Sequence, residues 1–155
     1  MLALAIVAAL GPGVPNTTIA VGIWGIPAVT RIVRGSVLTL RETEYVGAAR
    51  ALGASAVALL RRHVLPNILP GLIVYATLFM ANAILLEAAL SFLGLGVQPP
   101  TASWGLMVST GRDVLLVAPH VATVPGVAIM VAVLAFNLVG DGLRDALDPR
   151  LRGSA

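Results

Sequence analysis

Glu87 is the residue in this chain that most invites chemistry. It stands inside an apolar run from Asn67 to Leu93 whose other strongly polar members are Asn67 and Asn82. A carboxylate among apolar neighbours is expensive to keep and marks function by default. It suits a polar pathway or a partner group on another subunit. The plainer readings are a structural hydrogen bond at a helix interface and escape to the headgroups. Asn82 is the second candidate for such a pathway or subunit interface, although Asn82 and Asn137 read first as interhelical hydrogen-bonding groups. Beyond these the inventory is thin. The 155 residues hold no Cys and no Lys, so thiolate metal sites, disulfides and cysteine nucleophiles are excluded.

Such groups need elements to hold them, and composition says which. The chain is 58% hydrophobic and 11% charged, with a mean hydropathy of +0.96. Seventeen charged side chains cannot cover a water-soluble globule of this length. The class is a polytopic membrane protein. The net charge of +3 comes from ten Arg. In a soluble protein that excess would suggest nucleic acid; here the bilayer is the partner that matters, and the placement of the arginines carries the information.

Residues 2–10 are apolar but too few to span, with no positive residues ahead of them to make a signal peptide. They read as the outer end of a helix whose beginning is missing, and are expected to lack the packing partners that upstream helices would supply, leaving small-residue faces uncovered. Gly11 to Asn16 is a turn by composition. Residues 17–30 begin a span that extends through Arg31 and Arg34 by snorkelling. Asn67–Leu93 is a second span, His120–Gly140 a third, and 94–119 a mixed connection broken by Gly94, Gly96, Pro99 and Pro100. Thr77 with Ala81, and Ala128 with Ala132, read as close packing faces.

Six arginines lie in 31–66, three in the tail 141–155 and one in 94–119. The positive-inside rule places 31–66 and the C-terminus in the cytoplasm and 94–119 outside. His63 and His120 then lie in different compartments and cannot share a metal, so no metal site is expected. Trp104, Met107, Val108, Gly111 and Leu115 form a stripe after Ser103, a natural N-cap. The stripe suits an interfacial helix anchored by an aromatic, or an external contact or gate. Asp141, Arg144, Asp145 and Asp148 read as solvated or paired charges at a membrane exit.

The 31–66 segment is more than a connection. Thr39 and Glu42 have capping-box spacing. Tyr45, Ala48, Ala49 and Leu52 then fall at i, i+3, i+4 and i+7 on one helix face, and Gly53 is a natural C′ residue. Ser55 caps a second helix, 56–65, that Pro66 ends. Small residues at the centre of the first helix, Gly47, Ala48 and Ala49, let another surface approach its backbone. Such a helix either docks in a groove on a partner or lies on the headgroups.

Tyr45-Val46-Gly47-Ala48-Ala49-Arg50-Ala51-Leu52-Gly53, continuing to His63-Val64-Leu65-Pro66-Asn67, resembles the EAA loop of binding-protein-dependent ABC importer permeases. Ala48-Ala49, Gly53 and Leu65-Pro66 fall at that motif's spacing; Gly47 stands at its Glu position and His63 at its Ile position. Glu87 to Pro100, Ser103-Trp104-Gly105 and Phe136 to Arg150 resemble the C-type subunit of the dipeptide/oligopeptide/nickel family.

The resemblance covers nearly the whole chain. It implies an all-α integral membrane protein with the type I ABC importer transmembrane domain over residues 1–155. That domain would comprise three full spans, an N-terminal stub, a cytoplasmic coupling loop at 39–66 and an external loop at 94–119. Family members carry about six spans by resemblance, so the chain looks like a C-terminal half. The resemblance also implies a permease subunit in a bacterial or archaeal cytoplasmic membrane, moving peptides or nickel complexes delivered by an extracytoplasmic binding protein. It would pair with a second permease and two ATPase subunits. Tyr45, Gly47, Ala48, Ala49, Leu52, Gly53, Leu65 and Pro66 would form the ATPase-coupling segment. The sequence has no Gly-rich loop with Lys, so no cofactor is expected on this chain and ATP belongs to the partners. The alternatives are a non-transporting adaptor or remnant and, less compatible with a lone intramembrane carboxylate, a channel or proton-coupled carrier.

The orientation is testable in a background free of native Cys. Arg41 and Arg150 are predicted inside and Thr101 outside. In sealed cells an impermeant thiol reagent should label Thr101→Cys and leave Arg41→Cys unlabelled; labelling at 41 would invert the topology.

Overall fold

The computed structural model describes residues 2–147, and within them every regular element is helical. In chain order these are α1 (Leu2–Leu10), α2 (Val14–Arg41), α3 (Glu44–Ala51), α4 (Ala56–Leu59), α5 (Leu65–Phe92), α6 (Trp104–Gly111) and α7 (His120–Leu147). A π turn, Leu60–Val64, joins α4 to α5, and a 3₁₀ turn, Arg112–Val114, follows α6. Helices suit this chain because a bilayer offers peptide groups no water, and a helix satisfies its own backbone. Val14–Arg41, Ala56–Phe92 and His120–Leu147 are each long and apolar enough to cross a membrane. The 28 residues of α5 alone measure about 42 Å at 1.5 Å per residue. Pro27, Pro70 and Pro125 all lie inside these helices, as membrane helices allow.

The contacts divide the chain into two compact units. One comprises 1–26 and 77–139, the other 27–76 and the segment from 140 onward.

In the first unit one face of α1 packs on its own chain. Ala3 and Val7 are buried with Ala20 and Leu90, and Leu4, Ile6, Leu86 and Leu95 pack around them. Its other face, with Leu2 and Leu10, stays exposed. The predicted turn is also shorter than Gly11–Asn16, because α2 begins at Val14 and takes in Asn16. The Asn16 amide donates to Leu10 O at 2.9 Å and Gly11 O at 3.1 Å, satisfying carbonyls that the end of α1 leaves open. Gly13 N–H donates to Gly96 O at 3.0 Å and ties this turn to the loop after α5. Ala81 is buried, in keeping with a packing face, whereas Ala128 and Ala132 are half-buried.

Apolar side chains gain little by leaving lipid for protein, so close approach of backbones does the packing. A Cβ built on Gly105 would lie 2.6 Å from Ala88 Cα, and one on Gly111 would lie 2.8 Å from Ala122 N. Glycine is what lets α6 lie directly on α5 and on the start of α7.

In the second unit two sequence expectations fail. Thr39 does not cap the following helix. It lies within α2, its hydroxyl donating to Gly35 O at 3.2 Å and its carbonyl accepting Glu42 N–H at 3.3 Å. No Pro stands between Pro27 and Arg41, and α2 runs on through Gly35, with Thr39 helping to close it. The N-cap position of α3 falls to Thr43. Pro66 does not end a helix either. The π turn intervenes, Leu65 N–H bonding to Leu60 O, and Pro66 enters the first turn of α5, where a missing N–H is tolerated. Ser55 does cap α4, accepting Ala58 N–H at 3.3 Å.

Overpacking tests the α6 contact. Gly105→Ala should destabilise the fold by about 1–3 kcal/mol, lowering the unfolding midpoint of the detergent-solubilised protein. The same change at Gly142, inside α7 where a Cβ meets nothing within 4 Å, should instead raise that midpoint slightly, because Ala favours a helix over Gly.

Candidate functional site

Two regions hold the residues singled out by sequence, one in each unit. In the second, α3 lies against α4. Its Val46 is buried, as are Leu59, Val64 and Ile68 of the helix that follows. Val46 is off the predicted stripe. With one side of α3 facing its own chain, Tyr45, Ala48 and Leu52 are left exposed, Leu52 at 89%, while Ala49 is half-buried. A Cβ at Gly47 would meet nothing within 4 Å, so the centre of α3 is flat and open. Gly53 holds φ at +84°, a conformation that excludes most side chains. From there Gly53 N–H donates to Arg50 O at 3.0 Å and Ala54 N–H to Ala49 O at 3.1 Å. This is the paired closure of a Schellman motif, and it turns the chain sharply into α4. Tyr45 and His63 place their rings 6.0 Å apart, tilted by 49°. Leu65 and Pro66 are exposed at the start of α5.

In the first unit Glu87 is half-buried on α5. Ser91, one turn on and fully buried, donates from Oγ to Glu87 Oε1 at 2.7 Å and accepts Val97 N–H at 3.1 Å. The hydroxyl therefore joins the carboxylate to the loop after α5. That loop begins at Gly94, with φ +77°, where Gly94 N–H bonds to Ser91 O and Leu95 N–H to Leu90 O. The Ser91 bond lies within α5 rather than across a helix interface, and the carboxylate also lines a cavity of about 570 Å³ with Thr17, Val21, Ile84, Trp104 and Met107. Asn82 is not brought there. Five residues along the helix turn it about 140° away. Its amide donates to Leu78 O of its own helix at 2.9 Å, so this bond is intrahelical where an interhelical one was expected. Ser103 caps α6 as predicted, accepting Leu106 N–H at 3.1 Å, and so fixes Trp104 and Met107 at the cavity. In the same unit Trp24 stacks on Phe79 at 5.8 Å, and the Arg112 guanidinium lies 5.6 Å over Phe92.

Sequence reasoning missed Ser91 and Thr17. The i+4 spacing from Glu87 to Ser91 is a readable signal for a helix-face pair. The Val97 and Thr17 contributions depend on tertiary contacts that no local pattern carries. Asp141, Arg144 and Asp145 are exposed near the end of α7, whereas Asp148, Arg150 and Arg152 lie outside the described residues.

These features define a polytopic helical membrane protein with an outward-facing amphipathic helix and a carboxylate-bearing cavity. Residues 1–153 match the family described as binding-protein-dependent transport system inner membrane component, and the chain belongs to that family, whose members are transport components rather than enzymes. The all-helical architecture with three apolar long helices agrees with the transmembrane-domain fold that the resemblance implies. Over 153 residues the chain is 50% identical to the glutathione transport system permease protein GsiD of Escherichia coli O157:H7 and to proteins of the same name from E. coli O6:K15:H31 and Shigella flexneri serotype 5b. The match covers 99% of this chain and 50% of each relative. The chain thus spans about half the length of the curated relatives it matches.

The Ser91 link has a measurable weight. Ser91→Ala leaves the Val97 N–H buried without its acceptor and should cost about 1–3 kcal/mol. Thermal unfolding in detergent reads this directly, and an unchanged midpoint would remove Ser91 as the tie between loop and helix.

Proposed function

We propose that this chain acts as a permease subunit of an ATP-driven importer in a bacterial or archaeal cytoplasmic membrane, moving small peptides. Its partners in that role are two ATPase subunits, a second permease and an extracytoplasmic binding protein. ATP is bound and hydrolysed by the ATPase subunits. The observation that carries the reading is α3: a short helix held by a sharp glycine turn, with Tyr45, Ala48 and Leu52 outward and nothing over Gly47. A helix meant only to join two spans has no need of such a face. The segment 45–53, with Leu65 and Pro66 behind it, receives the ATPase subunit and passes its motion to the spans. On this reading 31–66 and the C-terminus are cytoplasmic and 94–119 is external.

Peptide cargo is supported by the relatives named for glutathione transport, glutathione being a small peptide. Family membership favours this role over a non-transporting adaptor.

Ala48→Glu tests the coupling helix. An unpaired carboxylate desolvated in the ATPase contact costs several kcal/mol. In the complete transporter, substrate-stimulated ATP hydrolysis and uptake should fall by at least about tenfold, with membrane insertion unchanged. Undiminished uptake at normal expression would remove α3 from the mechanism.

A further inference from the structure

The cavity beside Glu87 carries a selectivity that can be read from its hydrogen-bond accounting. Thr17 and Thr18 line it, and each hydroxyl gives its proton to a backbone carbonyl, Gly13 O and Val14 O respectively, both at 2.8 Å. What those side chains offer a guest is oxygen lone pairs. Glu87 accepts one bond from Ser91, but a carboxylate has room for several and no proton to give when ionised. Among the described residues that line the cavity there is no Arg or His. The remaining walls are mainly apolar and aromatic, with Val21, Ile84, Trp104 and Met107; Ser103, whose hydroxyl accepts Leu106 N–H, and the Trp104 indole N–H are the neutral donors beside them. A carboxylate and hydroxyl acceptors on a wall that also holds an aromatic ring are complementary to a cationic donor with an apolar body. They repel a guest that brings a carboxylate against Glu87. About 570 Å³ accommodates a di- or tripeptide.

We propose that this cavity is a binding subsite for the protonated amino group of a small peptide, with Glu87 as the counter-charge and Trp104 as the aromatic wall. The assignment rests on the permease reading for its biological meaning, because the guest is then the cargo or part of it. Glu87 is here a binding residue, and Ser91 positions it through the 2.7 Å bond.

The test uses binding rather than transport, so that the two readings fail separately. The chain has two tryptophans, and Trp24→Phe keeps an aromatic ring against Phe79 while leaving Trp104 as the sole tryptophan, excited selectively over the two tyrosines. In lipid nanodiscs this variant is titrated with dialanine amide, which carries an ammonium and no carboxylate, and with its N-acetyl twin. Dialanine amide should shift Trp104 emission saturably, and acetylation should weaken binding by at least about tenfold. Glu87→Gln retains an oxygen that accepts from Ser91 and should bring both peptides to the same weak affinity. Equal affinities for the twins, full-strength binding by Glu87→Gln, or no saturable binding would each overturn the proposal. Should Glu87→Gln fold poorly, the comparison of twins on the Trp24→Phe protein decides alone. Ala48→Glu should bind dialanine amide normally while losing uptake. If the binding pattern holds but the assembled complex with unaltered Ala48 carries no peptide, the permease reading falls and the subsite stands.

Discussion

A peptide group in hydrocarbon has nowhere to find a hydrogen bond except within the protein. Most of this architecture follows from that constraint. It draws the chain into helices long enough to cross the bilayer and lets them break only where a substitute partner is at hand. At the end of α1 the substitute is the Asn16 amide; at Gly94 it is the paired amides of a glycine turn. The same constraint favours small residues at contacts, since helices already satisfied internally gain by approaching closely. Gly105 and Gly111 hold α6 in that way.

Local rules read well where a single residue decides. Ser55 and Ser103 cap the helices they precede, Gly53 takes the left-handed conformation, and the long apolar runs are the long helices. They read badly where two local signals compete. The spacing of Thr39 and Glu42 is a good box only if the helix before it has stopped, and nothing between Pro27 and Arg41 stops it. Pro66 reads as a breaker in sequence, but it falls in the first turn of α5, where a missing N–H is tolerated. Asn16 has turn composition, yet its amide is worth more as a cap for α1 than as a turn former. Asn82 sits among apolar residues in sequence, but a carbonyl of its own helix is the nearest acceptor. The pairing of Glu87 with Ser91 was legible from spacing. The cavity they border was not, because Thr17 and Trp104 reach it through tertiary packing.

The two candidate regions ask different things of their surroundings. α3 is a surface device whose useful face is the one its own chain leaves uncovered, so its chemistry is shape and apolarity. Glu87 is an interior device that works by being held, and the hydroxyl holding it is itself buried and bonded to the loop beyond. On the proposed reading, a transport family has use for both, a contact through which force enters and a place where a guest rests.

The π turn deserves a reading as arithmetic. Leu59 and Val64 are five residues apart and Val64 and Ile68 four, yet all three are buried. In an unbroken α-helix a step of five would swing Leu59 about 140° from Val64. The wider turn supplies one extra residue and brings Leu59 back into phase. Leu60–Val64 is thus equivalent to a one-residue insertion kept in the helix. It sets the rotational phase of everything ahead of it in this stretch, α4 and the glycine turn included. Removing a single residue there would leave composition and hydropathy almost untouched and re-aim the face of α3.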